Sequence, residues 1–247
     1  MTGPGPLSIK HIGLAFVTGL LVLVSLIGGF SAYQTRALAH NLAQHNRDAA
    51  RAELAAAVQR LLSQTEDQAI QLAEWDETRQ QLVLPEYYPY WRDQRVYESG
   101  ILSGRLVRVA LYTEAGTLLE PSPAKLHMPA SLPAGMPAYQ PYTWLSNETG
   151  TIALYHAFPV FGDAQRQALL GRGVLRVDFM PALLRPDALH FVDAASVGVA
   201  LKPGELLSAA DLLSRLNFSA RSDPDQLRFQ SILSRTLLSL FVLLIGT

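Results

Sequence analysis

The chain has 247 residues, enough for one domain of ordinary size with membrane anchors but too few for a large multidomain assembly. Its formal net charge is −1 and its Lys and Arg residues are scattered, so no basic patch indicates nucleic acid, and we expect no nucleic-acid partner. The absence of Cys excludes disulfides, thiol nucleophiles and Cys-ligated metals.

The apolar run near the N-terminus predicts a membrane anchor. Residues 12–30 carry no charge, and as a helix they would extend about 28 Å, close to the ~30 Å hydrocarbon core of a bilayer. We therefore expect a transmembrane helix over residues 12–32, preceded by a cytoplasmic tail of residues 1–11. A cleaved signal peptide is the alternative, because residues 37–39 form an A-x-A site, but the length of the apolar run favours an uncleaved anchor.

Residues 33–81 predict one long helix, because they contain no Pro or Gly and are rich in strong helix formers. Seven positions follow the alternating spacing of four and three that is typical of a heptad seam: Leu54, Val58, Leu61, Thr65, Gln68, Leu72 and Trp75. This face needs a partner, which is either the domain's own sheet or the equivalent helix of a second chain. We expect a homodimer through the long helix.

The following residues predict a mixed α+β domain. Residues 106–112 and 117–119 form a predicted hairpin around Gly116, and six prolines between residues 121 and 141 predict an irregular loop that could act as a lid. Residues 152–160 and 171–179 read as an antiparallel strand pair, and residues 196–201 as an edge strand. Residues 205–235 read as a helix that leads back to the membrane.

Alternation within the strand at 171–179 separates two faces. Gly173, Leu175 and Val177 share one face, which we expect to be core. Arg172, Arg176 and Asp178 share the other, and this face can meet a ligand.

The C-terminal end is also apolar. Residues 236–247 are uncharged, and as a helix they reach only about 18 Å, too short to cross a bilayer. A terminal helix docked on the core is possible, but the segment lacks a polar face. We therefore expect residues 232–247 to begin a second transmembrane helix, with an extracytoplasmic sensor domain over residues 33–231 and an output domain outside this chain.

The order of these parts resembles a known sensor family. A span, a long helix that ends in the motif Trp75-Asp76-Glu77-Thr78, an aromatic stretch and strand-turn-strand residues 107–119 are similar to the fourth class of CHASE sensory domains. Residues 157–160 and 171–178 also resemble the terminal strands of Cache or PAS-like folds. The resemblance covers about residues 35–235.

This resemblance implies an α+β fold in which a long N-terminal helix packs on an antiparallel PAS-like (Cache-like) sheet, flanked by transmembrane helices. Members of the family lie outside the bacterial cytoplasmic (inner) membrane, in the periplasm. They precede histidine kinases or the diguanylate cyclase and phosphodiesterase domains of cyclic-di-GMP signalling. We find no output motif of either kind in this chain.

Candidate ligand-binding residues come from the motif, the aromatic and cationic stretch after it, and the strands: Trp75, Asp76, Tyr88, Tyr90, Trp91, Arg92, Arg95, Tyr112, His156 and Arg176. Aromatic and guanidinium groups together can hold an anionic or planar ligand. The alternative is that the aromatic side chains pack the helix onto the sheet while the arginines face solvent.

Catalysis is not predicted. His127, His156 and His190 show no metal-ligand spacing and no nearby acidic partner in the sequence, so we expect no enzymatic activity, no cofactor and no metal. The leading hypothesis is a sensor that binds an unknown small molecule and transmits a helix displacement through the lipid bilayer. A membrane-anchored scaffold for a protein partner and a periplasmic hydrolase are the alternatives.

Overall fold

The computed structural model describes residues 9–221, apart from residues 103, 105, 122, 149, 164 and 186–188. Within this part of the chain, residues 50–219 form one compact unit, and the residues outside that range belong to a second. The predicted second span at 232–247 lies outside the described residues, as does the predicted helix beyond residue 221.

The described chain begins in one long helix, α1, which runs Ile9–Glu74. By length and composition this helix could cross a membrane, and it alone among the described helices meets that criterion. The apolar side chains of its N-terminal part are exposed, as at Leu21 and Leu23. A signal sequence meets the same criterion, so the uncleaved anchor stays a prediction.

Helix α1 ends earlier than its composition predicts. Trp75 takes an extended backbone conformation (φ −75°, ψ 124°), and a separate helix, α2, runs Asp76–Val83. Asp76 and Glu77 place negative charge in the first turn of α2, where the unpaired N–H groups of a helix favour it. The predicted continuous helix to residue 81 is therefore wrong at Trp75, because the helix-forming composition on both sides does not encode this change of direction.

The heptad-spaced face of α1 is buried in the chain's own domain. Leu54, Val58 and Leu72 are at most 3% exposed, and Thr65 and Gln68 are also buried. The core of residues 50–219 is thus the partner of this face, which is the first of the two alternatives that the spacing left open. The homodimer stays a prediction, and a contact between copies would use other surfaces of α1.

A helical segment connects α2 to the sheet. After a 3₁₀ turn at Pro85–Tyr87 it consists of α3 (Tyr88–Tyr90), a π-helical turn (Trp91–Arg95) and α4 (Val96–Glu98). The segment buries Trp91, Arg92 and Val96 and leaves Tyr90 half exposed. The aromatic stretch that follows the motif is therefore helical from Pro85 to Glu98.

The strands in chain order are β1 (Val107–Thr113), β2 (Tyr142–Glu148), β3 (Thr151–Phe161), β4 (Leu169–Asp178), β5 (Gly198–Val199), β6 (Leu206–Ser208) and β7 (Leu216–Asn217). One antiparallel sheet has the order β1-β4-β3-β2-β6, and β5 pairs separately with β7. Two short helices, α5 (Phe179–Leu183) and α6 (Leu212–Arg215), complete the unit. The α+β class, with a long N-terminal helix and an antiparallel sheet, is confirmed.

Strands β1, β3 and β4 confirm the predicted strands at 106–112, 152–160 and 171–179. The hairpin after β1 is smaller than predicted: Gly116 turns at φ +81°, and the two arms are joined around the bridge between Tyr112 and Leu118, with no second strand assigned to the described residues 117–119. Strand β2 is absent from the sequence prediction because it directly follows the proline-rich stretch. The helix predicted over 205–235 is wrong for residues 205–221, which contain β6, α6 and β7, since Leu-rich runs suit strands and helices alike.

The two faces of the sheet are covered by different parts of the chain. On the inner face, Gly171 and Gly173 of β4 admit the side chains of Leu82 from α2 and Phe158 from β3. On the outer face lies a second core: Ala110, Tyr112, Trp144, Ala153, Tyr155, Ala157 and Val174. Apolar residues of the proline-rich loop pack against this outer core, among them Met128 and Leu132. The face that was predicted to meet a ligand, which carries Arg172, Arg176 and Asp178, is therefore covered by the proline-rich loop.

Candidate functional site

The motif that carries the family resemblance lies at the junction of α1 and α2. Trp75 is partly buried there and Thr78 is fully buried. The Asp76 side chain is 81% exposed and pairs with Arg79 at 2.5 Å, one helical turn further on. The motif therefore brings an aromatic ring and a hydroxyl into the domain, whereas the Asp76 carboxylate faces solvent.

Three rings from the motif and the aromatic stretch pack against one another, the first pair tilted and the second stacked. The ring centroids of Trp75 and Trp91 are 6.0 Å apart, and those of Trp91 and Tyr88 are 6.2 Å apart. The Tyr88 hydroxyl accepts a hydrogen bond from the backbone N–H of Leu111 in β1 at 3.0 Å, and burial raises the pKa of this hydroxyl. The stack thus attaches the helical segment after α2 to the edge of the sheet.

Both arginines of this stretch already have protein partners. Arg95 makes a bidentate pair with Glu77 (3.0 and 2.7 Å) and lies over the Trp75 ring. Arg92 pairs with Asp93 through two atoms (2.8 and 2.9 Å) and donates to the carbonyl of Pro121 at 2.6 Å. Both guanidinium groups are thus held by protein partners, which favours the packing interpretation of the cluster, and a ligand role for it stays a prediction.

His156 lies on the inner face, away from that cluster. Its Nδ1 is 2.7 Å from the Oγ1 of Thr143 on the neighbouring strand, and burial lowers its pKa to about 4. The imidazole is therefore neutral at neutral pH. It lines a cleft of about 810 Å³ between the helices and the end of β3, which also includes Ala69, Phe158 and Arg166.

Arg176 belongs to a polar network on the outer face. It donates to the hydroxyl of Tyr155 at 3.3 Å and to the carboxylate of Asp178 at 2.5 Å. Tyr155 in turn donates to Glu148 at 2.7 Å, and Arg108 lies 3.7 Å from Asp178. Cross-strand register brings these charges together, since each strand contributes alternate residues to this face.

Two tyrosines connect the outer face to the proline-rich loop. The Tyr112 hydroxyl donates to the carbonyl of Pro129 at 2.8 Å, and the Tyr155 hydroxyl lies 3.0 Å from the carbonyl of His127. Burial raises the pKa of both hydroxyls, so both stay protonated and able to donate. The Tyr112 hydrogen bond therefore holds the loop over the sheet, with the Tyr155 hydroxyl within hydrogen-bond distance of a second loop carbonyl, and a cavity of about 410 Å³ lies beneath the loop.

The ten predicted site residues do not form one site. Asp76 lies at the surface beside the junction of the helices. Six others gather at that junction: Trp75, Tyr88, Tyr90, Trp91, Arg92 and Arg95. His156 lies on the inner face, while Tyr112 and Arg176 lie on the outer face. Sequence reasoning missed Trp144, Ser146 and Glu148, whose alternation on β2 would have indicated them if the strand had been recognised.

Comparison of the chain with protein-family models, curated proteins and solved structures finds no match. Among the described residues, no group of three or more His, Asp and Glu side chains is placed to hold a metal ion.

Proposed function

We propose that the chain is the extracytoplasmic sensory input module of a transmembrane signalling receptor in the bacterial inner membrane. A small ligand or other stimulus would bind the periplasmic domain and displace α1. The observation that carries the proposal is the continuity of α1, which contains both the apolar stretch at 12–32 and the residues from Leu54 to Leu72 that are buried in the domain. A change in the packing of the domain then acts directly on the helix that contains the anchor.

The resemblance to fourth-class CHASE domains supports the same proposal and suggests the output. An effector of that kind would be a diguanylate cyclase, a phosphodiesterase or a histidine kinase on the cytoplasmic side. A ligand shifts such a receptor only by its difference in affinity between two helix arrangements. The cleft between α1 and β3, which includes Ala69 and Phe158, is a place where helix and sheet could change their packing.

The buried seam favours a sensor over a scaffold. A scaffold that binds a protein through the long helix would offer an apolar helix face to its partner. In the described domain that face is already covered, with Leu54 and Leu72 at most 2% exposed. The sheet also bounds a cavity that is lined mainly by apolar residues and by a few polar ones, among them Ser146 and Glu148, a combination typical of small-molecule sites.

The test uses the full chain in lipid nanodiscs. The chain has no Cys, so the variant His45→Cys carries one thiol, in α1. Disulfide crosslinking between two copies of this variant then reports how close their α1 helices lie. A library of amines, amino acids, organic acids and sugars is first screened for a rise in Tm, and every compound that raises Tm is then assayed for its effect on the crosslinking rate. Ser99→Cys, exposed outside α1, is the control variant.

We expect at least one compound class to raise Tm and to change the crosslinking rate at position 45 but not at position 99. Compounds that raise Tm without any effect on the crosslinking rate at position 45 would show binding without transmission and would overturn the proposal. A library that leaves Tm unchanged throughout would overturn the small-ligand part of it.

A further inference from the structure

The cleft between α1 and the sheet has the size of a small-molecule site. Its volume of about 810 Å³ falls within the range of ordinary ligand pockets. Ala69, Ile70 and Ala73 of α1 line one side, and Phe158 and Pro159 of β3 line the other. All of its walls belong to the compact unit of residues 50–219, so a molecule bound here would contact both helix and sheet within one unit.

His156 is the buried polar group of this cleft. Its side chain lines the cleft although the residue is only 5% exposed. Its Nδ1 lies 2.7 Å from the Thr143 hydroxyl. Among the described residues, none hydrogen-bonds to Nε2, and Nε2 is not one of the fully enclosed atoms without a partner. The structure thus leaves Nε2 open to a molecule in the cleft.

The contact with Thr143 determines which groups can bind Nε2. If the hydroxyl donates to Nδ1, then Nε2 carries the ring proton and donates; if the hydroxyl accepts, then Nε2 accepts as well. A ligand hydroxyl can both donate and accept, so it fits either arrangement. Because burial lowers the pKa of His156 to about 4, the ring is neutral and offers no opposite charge to a buried carboxylate or ammonium group.

The charged groups at the mouth of the cleft have both signs. Carboxylates come from Glu66, Glu74 and Asp163, and guanidinium groups come from Arg79 and Arg166. Arg166 lies 3.9 Å from Glu74, beyond hydrogen-bond distance, and both side chains are at least 66% exposed. A ligand with a single charge would be attracted by some of these groups and repelled by others. Hydroxyl groups, in contrast, can accept from a guanidinium group and donate to a carboxylate.

An aromatic ring offers apolar surface at the same cleft. Tyr139 and Phe161 both line it, and their rings stack with centroids 6.3 Å apart and planes inclined by 12°. Tyr139 is nevertheless 60% exposed, so much of its ring is accessible to a ligand. The C–H face of a sugar ring is apolar, whereas its edge carries hydroxyl groups. Such a molecule can bury its face on the Tyr139 ring while its edge meets the polar groups.

We propose that the cleft binds a neutral ring with several hydroxyl groups, of the size of a mono- or disaccharide. One hydroxyl bonds to Nε2 of His156, others meet the charged groups at the mouth, and the C–H face lies against Tyr139. Because α1 and β3 both line the cleft, binding holds the helix against the sheet. The proposal names the ligand class of the sensory function proposed above, and only its signalling consequence rests on that function.

The experiment measures binding of glucose, galactose, mannose, maltose and lactose to the full chain in nanodiscs by calorimetry, with empty nanodiscs subtracted. We expect at least one of these sugars to bind. Tyr139→Ala should weaken that binding about tenfold, because it removes the ring contact at an exposed position where folding does not depend on it. Tyr87→Ala, which removes a 71% exposed ring outside the cleft, should leave the affinity unchanged.

His156→Leu tests the buried hydrogen bond. It removes Nε2 at similar volume, so we expect binding to weaken about tenfold, the usual effect of one hydrogen bond. Because His156 is buried, Tm is measured first; if this variant does not fold, Tyr139→Ala and its control decide the outcome. Failure of all five sugars to bind, or an affinity that survives in Tyr139→Ala or in folded His156→Leu, would overturn the proposed site.

Charged counterparts of the sugar that binds test the ligand class. For glucose these are glucosamine and glucuronate. We expect neither counterpart to bind more tightly than the neutral sugar, since the mouth of the cleft carries groups of both signs. Tighter binding of either one would show that charge governs recognition and would overturn the neutral class.

The two proposals fail in different ways. If a sugar binds through Tyr139 and His156 but leaves the crosslinking rate at position 45 unchanged, the ligand site stands and the sensory function is overturned. If other compounds change the crosslinking rate while no sugar binds, the sensory function stands and the sugar site is overturned.

Discussion

Gly173 is a residue at which a single added methyl group would clash within the sheet. A Cβ at this position would lie 2.1 Å from the Phe158 ring on the neighbouring strand, so the ring would have to move. We expect Gly173→Ala to lower the free energy of unfolding by about 1–3 kcal/mol, the usual effect of overpacking a core. Chemical denaturation checks this, with Gly198→Ala as control because nothing lies within 4 Å of its added Cβ. Equal stability of the two variants would contradict the packing described.

Through His156, the free energy of unfolding of the domain should depend on pH. Burial lowers its folded-state pKa to about 4, below the unfolded value near 6.5, so the unfolded chain binds more protons between these values. The stability that the neutral imidazole contributes is thus complete above about pH 6.5 and is lost as the pH falls toward 4, by up to about 3 kcal/mol.

Denaturation curves of the wild type and of His156→Gln between pH 4 and 7 isolate this contribution from that of the carboxylates. We expect the difference in unfolding free energy between the two proteins to shrink as the pH falls. A difference that stays constant over this interval would show that the folded and unfolded states bind protons equally at this position.

At the scale of elements, one carboxylate joins the long helix to a segment far away in the chain. Glu53 of α1 accepts hydrogen bonds from three consecutive backbone N–H groups, those of His190 (2.5 Å), Phe191 (2.8 Å) and Val192 (3.1 Å). The next residue, Asp193, donates its N–H to the carbonyl of Ser219 at 2.9 Å. The segment 190–193 therefore links α1 to the last described residues of the domain.

Glu53→Gln should loosen this link, because an amide offers one acceptor oxygen and no charge to three donors. Hydrogen bonds to charged groups contribute about 1.5–3 kcal/mol, so we expect faster amide exchange at residues 190–192 and a lower Tm, with exchange in β3 unchanged. Asp67→Asn, an exposed position of the same helix, is the matched control. Unaltered protection of residues 190–192 would mean that the carboxylate does not hold the segment.

At the scale of the whole molecule, the prediction concerns the anchor. The full chain should stay in the membrane fraction after an alkaline carbonate wash and should keep residues 1–39, as mass spectrometry would show. Replacing Leu21 and Leu23 by Arg should release it, because an Arg at the centre of a span costs about 3 kcal/mol. Leu213→Arg, at an exposed position of α6, should not. A mature chain that begins after Ala39 would instead identify a signal peptide.

Local patterns in the sequence predicted the parts of the fold that depend on neighbouring residues. Helix propensity predicted α1 over most of its length, and the alternation of apolar residues predicted β1, β3 and β4, because both follow from the geometry of a single backbone segment. The same reasoning failed at Trp75, at β2 and over residues 205–221. There, short segments follow prolines or change direction, and packing with distant parts of the chain decides the conformation.

The sequence alone thus determined the α+β class, the long apolar helix and the lack of thiol chemistry, since composition and periodicity suffice for these. Only the tertiary structure decided which surface covers the seam of α1, which carboxylates pair with Arg92, Arg95 and Arg176, and that Trp144 and Glu148 share a cavity. The physical reason is distance along the chain. Glu53 and His190 are 137 residues apart. Their contact forms only when the helices and the sheet pack, so no local sequence pattern predicts it.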